Sequence, residues 1–345
     1  MIVKKIFGGL IMLALIVGFI ATPTYGGDPA RVGQAGGVQT LVPVSARDIA
    51  MAGANLALTS GLDAIYWNPA GLPRMKNVAA AQFSTITVFN DVHVNYLAAA
   101  YKSESLGSIG FSLKSFSFGD IPWTTNEDMD GESGRTFSPT FVTVGLTYAK
   151  NLTESVNLGL TAKIINESVP RASASAFAFD IGMQYDRLGG IEGVCFGVAI
   201  KNIGTNLRYE GSAFGNDVVI GIGRDDVLRR QAASNQLPTS IELGAAYKTA
   251  VAEDNNLVVS GVFQSNNFEN DAMKFGLEYN YKEFVFVRGG YNYNQNVNAE
   301  DQLNTWALGA GITYNVGGLD LTLDYAFRNQ QYFNANNVFS LTIGF

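Results

Sequence analysis

From Val78 to Phe345 the chain alternates, residue by residue, between apolar side chains and polar or small ones. A period of two marks β-strands that show one face to an apolar phase and the other to a different environment. The clearest case runs from Asn304 to Arg328. Trp306, Leu308, Ala310, Ile312, Tyr314 and Val316 share one face, and Leu319, Leu321, Leu323, Tyr325 and Phe327 continue it in the next segment. Gly317-Gly318 stands between the two segments, and such a pair makes a two-residue hairpin. The register then sets Val316 opposite Leu319, Tyr314 opposite Leu321 and Ile312 opposite Leu323. The same alternation marks 78–89, 92–103, 106–118, 139–150, 155–168, 174–186, 192–204, 238–249, 256–267, 272–282, 284–294 and 336–345. Together these predict about fourteen strands.

A soluble sandwich also alternates, but three features point to a closed transmembrane barrel. Connections after even-numbered strands are short, as at Asn151 to Glu154 and Gly317-Gly318, whereas those after odd-numbered strands include 119–138 and 205–237. Short turns at one end and long loops at the other are the pattern of outer-membrane barrels. Tyr148, Tyr185, Tyr247, Tyr279, Tyr281 and Tyr314 sit on the apolar face near the ends of even strands, where they predict one aromatic girdle. Trp306, Tyr293 and Phe327 predict the other rim. The final segment carries Phe339, Leu341, Ile343 and Phe345 on one face and closes the sheet. The predicted fold is all-β: an antiparallel transmembrane β-barrel of about 14 strands over 78–345, with an N-terminal hatch in its lumen.

Ahead of the barrel the pattern changes twice. Lys4 and Lys5 precede an uncharged apolar run, Ile6 to Ala21, followed by Pro23 and Thr24-Tyr25-Gly26. This reads as a signal peptide over 1–26, which sends the mature chain out of the cytoplasm. Residues 27–77 are rich in Gly and Ala and nearly free of charge from Ser45 to Leu72. Such a segment reads either as an ordinary amphipathic lead-in or as a plug held inside the barrel. Ser45 and Asp48 have capping-box spacing for a short helix. Ala54 to Thr59 allows a brief strand, and Gly61 to Trp67 a second short helix or turn. Asn68-Pro69-Ala70-Gly71 forms a corner: Pro69 fixes φ, Asn68 caps a turn, and Gly71 is expected in a conformation closed to other residues.

Composition removes several functions. Charged residues make up 15% of the chain, below the rough quarter of soluble domains, and the net charge is −7 with no basic block. Nucleic acid is therefore not an expected partner. Cys195 and His93 are each the sole residue of their type. That leaves no metal site, no cofactor site and no nucleophile–base pair, so no enzyme activity is expected.

Two lumen features follow from register. The inward face carries Lys114, Lys163, Asp180, Lys201, Glu242, Lys248, Lys274, Glu278, Arg288, Asp320 and Asp324. A three-residue loop between Tyr281 and Val285 sets Glu278 across from Arg288, predicting a charge pair on the lumen side. Leu97, Phe116, Phe118 and Phe141 are also read as inward, either lining an apolar pocket or packing on the plug. Glu127, Asp128, Asp130 and Glu132 give an acidic outer loop suited to bridging lipopolysaccharide through divalent ions.

Ser45-Ala46-Arg47, Ala50-Met51-Ala52-Gly53-Ala54 and Ala64-Ile65-Tyr66-Trp67-Asn68-Pro69-Ala70-Gly71-Leu72 resemble the hatch signature of the PorV/PorQ family, within the FadL-like outer-membrane barrels. The resemblance implies a monomeric fourteen-stranded barrel in the bacterial outer membrane, with Asn68, Pro69 and Ala70 at the hatch corner. It also implies two functions. PorV proteins serve type IX secretion, binding exported cargo proteins and passing them to a surface attachment complex. FadL proteins carry long-chain fatty acids or other hydrophobic small molecules, which leave sideways through a kink in the wall. The hatch motif is closer to PorV/PorQ, so a secretion role is the first expectation and hydrophobic-molecule transport the alternative.

Overall fold

The computed structural model describes residues 29–89, 92–219 and 225–345. The expected signal peptide, 1–26, lies outside the described residues. Fourteen long strands form the wall: β1 (Ala79–Phe89), β2 (Val92–Ser103), β3 (Gly107–Ser117), β4 (Thr140–Asn151), β5 (Val156–Val169), β6 (Ala172–Asp186), β7 (Val194–Gly204), β8 (Ser240–Ala252), β9 (Asn255–Asn266), β10 (Ala272–Tyr281), β11 (Val285–Asn294), β12 (Trp306–Val316), β13 (Leu319–Arg328) and β14 (Asn336–Gly344). Each pairs antiparallel with the next. β14 returns to β1, with Gly344 opposite Ala80 and Val338 opposite Ile86. Closure leaves the wall without an edge.

The predicted registers are present. Val316 lies opposite Leu319, Tyr314 opposite Leu321 and Ile312 opposite Leu323. Glu278 faces Arg288 and Tyr281 faces Val285. The β6–β7 pairing contains a bulge: Phe179 pairs with Ile203 but Ile181 pairs with Ile200, so β7 carries one extra residue. Asn202 takes a φ of 58° there, and its N–H donates to Asp180 Oδ1 at 2.8 Å.

The outer face is apolar and open. Phe83, Phe111, Leu146, Ile164, Phe179, Leu277, Leu308 and Phe339 all point away from the lumen and are exposed. Tyr148, Tyr279, Tyr281 and Tyr314 lie exposed near the short turns, and Trp306 stacks on Phe327 at 5.3 Å near the long loops. An apolar surface of this extent is stable only against lipid.

One inward assignment is corrected. Leu97 is 49% exposed on the outer face, because its neighbours Tyr96 and Ala98 are the buried pair that faces the lumen. Strands alternate strictly, so Leu97 points the other way.

Inside the wall lie a short helix α1 (Ala46–Ala50), a second, α2 (Ala64–Trp67), and a 3-10 segment over Pro69–Arg74. Ala54 to Thr59 forms turns. The capping box does not form. Ser45 bonds to the Asp63 side chain, and Asp48 accepts from Asn55 Nδ2 at 2.7 Å and Thr59 Oγ1 at 2.6 Å. Gly71 is not left-handed either; its lack of a Cβ lets it approach the Thr59 carbonyl and the Ala64 methyl.

The wall is shaped to receive this segment. Three cross-strand pairs are glycine on glycine: Gly159 with Gly182, Gly197 with Gly244, and Gly276 with Gly290. A Cβ at Gly197 would sit 2.9 Å from the Leu56 carbonyl oxygen, and one at Gly276 3.0 Å from the Ala54 methyl. Gly159 and Gly290 leave no room between the wall and the backbone of Pro69 and Met51, respectively. Bare wall backbone thus touches bare hatch backbone, a fit that any larger residue would block.

Candidate functional site

The hatch divides the lumen into a chamber toward the long loops and a chamber toward the short turns. The corner that fixes it is Asn68. Its Oδ1 accepts from Ala70 N at 3.2 Å, and its Nδ2 donates to the Leu56 carbonyl and to the wall carbonyl of Met183, each at 3.1 Å. Pro69 lies against Gly159 and Gly182, while Ala70 and Gly71 are buried beside it. Further ties come from Gln184, which donates to Thr59 O at 2.9 Å, and from Ser340 Oγ, which accepts from Ala46 N at 2.8 Å.

The turn-end chamber has a volume of about 340 Å³ and is bordered by one connected ion network. Glu278 bonds Arg288 at 2.6 Å, and Arg288 bonds Asp324 at 2.5 Å. Arg47 of the hatch reaches Glu278 at 3.4 Å. Burial acts to lower the Arg47 pKa, but Glu278 and then Asp48 and Asp63 outweigh it and hold the guanidinium charged. Burial and the neighbouring Asp63 push Asp48 up to about 6, against the opposing pull of Arg47.

The loop-end chamber has a volume of about 370 Å³. Tyr66, Trp67 and Ile49 of the hatch contribute to its lining, and the wall supplies Lys163, Asp180, Lys201, Glu242, Lys274 and Arg328. Lys163 pairs with Asp180 at 2.7 Å and Lys201 with Glu242 at 3.1 Å. Lys201 lies 5.3 Å and Lys274 6.0 Å from the Trp67 ring centre. The chamber reaches the β6–β7 bulge through Asp180, Lys201 and Asn202.

The phenylalanines form a cluster of their own. Phe116 and Phe118 stack at 6.0 Å, and Phe141 meets Phe118 edge-on at 5.0 Å. Phe116 packs on the group that holds Ile86, Val94 and Trp67. None of the three lines either chamber. In the acidic outer loop, Asp128 accepts from the N–H groups of Glu132 and Ser133 at 2.9 and 3.0 Å, so this carboxylate shapes the loop itself.

The chamber residues that escaped sequence reading include five carboxamides: Gln264 and Asn266 on β9, Asn292 and Asn294 on β11, and Asn304 just before β12. Their signal was present, because each pair sits two residues apart and so on one face.

No protein-family model matches the sequence, and no curated protein matches it. Solved structures do. The toluene transporter TodX of P. putida superposes with a TM-score of 0.55 at 12% identity, covering 88% of this chain and 99% of its own. The toluene transporter TbuX of Ralstonia pickettii gives 0.52 at 14% identity, covering 88% and 98%. The CymD monoaromatic hydrocarbon channel gives 0.51 at 13% identity, covering 88% and 97%. The fold is that of these three channels. A closed barrel with this open apolar face and these aromatic rims belongs in the bacterial outer membrane. The three matched structures carry the names of channels and transporters, none of an enzyme.

Proposed function

We propose that this protein is an outer-membrane conduit for small hydrophobic or amphipathic molecules. The observation that carries the reading is the loop-end chamber. It is sized for a small molecule, floored by a hatch, and lined in part by residues at the bulge between β6 and β7. The hydrocarbon and toluene transport named for the similarly folded barrels supports the same direction. A single barrel, apolar on its outer face, suits a monomer in lipid. Whole-cell uptake of labelled oleate and toluene tests it: a deletion strain should take up less of at least one, and unchanged uptake of both would overturn the reading.

A second reading, handling of secreted cargo at the outer mouth with transfer to a surface attachment complex, is favoured by the hatch motif from Ser45 to Leu72. The strand pair at Ile121–Pro122 with Thr136–Phe137 and that at Gly215–Val219 with Asp225–Arg229 give the outer loops some structure for such contacts. In the same deletion strain this reading expects exported proteins to be missing from the cell surface. Normal surface display with lost uptake would exclude it.

A further inference from the structure

The loop-end chamber holds more charge and hydrogen-bonding capacity than the protein itself uses. Lys163 and Lys201 are each matched by one carboxylate. Lys274 and Arg328 are not. Lys274 donates to Gln264 Oε1, and Arg328 donates to Asn336 Oδ1 from Nε at 3.1 Å and from Nη2 at 2.6 Å. Among the described residues neither has a carboxylate within 4.0 Å. Glu269 and Asp301 also border the chamber, but both are exposed at its mouth. Glu242 and Glu269 draw Lys274 at longer range, but both cations have only neutral groups in direct contact in a partly dehydrated space, an arrangement that favours an anion.

The neutral lining adds a second requirement. Carboxamides donate and accept together, as hydroxyl groups do. Gln264, Asn266, Asn292, Asn294 and Asn304 place such groups along the chamber lining. A hydrocarbon makes no hydrogen bond with this lining. A simple halide would meet the cations and make no use of the carboxamide carbonyls. A molecule with hydroxyl groups and one negative charge satisfies both sets, and the volume of about 370 Å³ admits something the size of one or two sugar rings.

We propose that the loop-end chamber binds a small polyhydroxylated anion, a sugar-sized molecule bearing one carboxylate or phosphate. Lys274 and Arg328 take the anionic group, and the carboxamides of β9, β11 and the residue before β12 take the hydroxyls. The site lies in the chamber on which the conduit reading rests, and it places the solute at the amphipathic, anionic end of that reading.

The test is calorimetric titration of the full mature chain in a polyoxyethylene detergent with galacturonate, glucose-6-phosphate, glucose and decanoate. Galacturonate, glucose-6-phosphate or both should bind at least about tenfold more tightly than glucose. A preference between the two anions distinguishes carboxylate from phosphate. Lys274→Gln should weaken the anions by about tenfold and leave glucose unchanged. Should that variant fail to give the heat-modifiable band of a folded barrel, Asn292→Asp, which places a negative charge in the chamber, should weaken the anions in the same way. Equal binding of glucose and galacturonate would overturn the proposal, as would folded variants without effect or failure of all four probes to bind. Binding of decanoate alone would overturn it too while leaving the conduit reading in place.

Discussion

The two chambers use the same kinds of residue to different ends. Around the turn-end chamber, Arg47, Glu278, Arg288 and Asp324 form a continuous chain in which each group has an opposite charge beside it, and Arg47 carries that chain into the hatch. Around the loop-end chamber the ion pairs are separate, Lys163 with Asp180 and Lys201 with Glu242, while Lys274 and Arg328 are left with neutral partners. A satisfied network fixes structure, because breaking it strands a buried charge. An unsatisfied one is available to something that arrives from outside. The lower chamber anchors the hatch, and the upper one offers contacts.

Substitutions can break or sharpen this contrast. The largest effect is expected from Arg288→Ala. It strands Asp324, leaves Glu278 with Arg47 alone, and should cost about 3–5 kcal/mol, read as a lower unfolding midpoint in urea. Gly182→Val should come next, at about 1–3 kcal/mol from overpacking against Asn68 and Pro69, with raised permeability to large antibiotics as the hatch is pushed from its seat. A third effect is pH-dependent. The Asp48 carboxyl is raised to about 6 from its ordinary range, so the charged form is the unfavourable one. Its contribution to stability is full below the unfolded value and is lost as pH rises through about 6. Unfolding midpoints at pH 5 and pH 7.5 should differ by up to about 1–2 kcal/mol, higher at pH 5, and Asp48→Asn should shrink that difference. Lys274→Gln should be mildest, below about 1 kcal/mol, because it breaks no ion pair. If Lys274→Gln proved as damaging as Arg288→Ala, the division into an anchoring half and an offering half would fail.

What the sequence disclosed follows from the strength of each local signal. The Glu278–Arg288 pairing was legible because period-two alternation and the short turn after Tyr281 together permit one register. Leu97 was misread because Ala98, Ala99 and Ala100 follow it, a run in which both faces look alike. The Ser45–Asp48 cap was plausible locally but lost to Asp63, Asn55 and Thr59, partners that only the folded hatch brings near. The bulge at Asn202 leaves no mark in composition, since Lys201 stays inward on either side of it. The loop-end site was half visible: its lysines stood on the inward face, but its carboxamides were passed over because singly they resemble ordinary loop residues.

The paired glycines that cradle the hatch have a consequence for any open state. If the hatch withdraws, the glycine-lined stretches of its vacated bed have no side chains to swing into the gap. Along Gly159–Gly182, Gly197–Gly244 and Gly276–Gly290 the passage would be floored with naked peptide groups, their amides already spent on the wall. A solute crossing that stretch would meet a smooth, hydrogen-bond-poor track rather than a ladder of charges, so selection would have to happen before it, in the vestibule above.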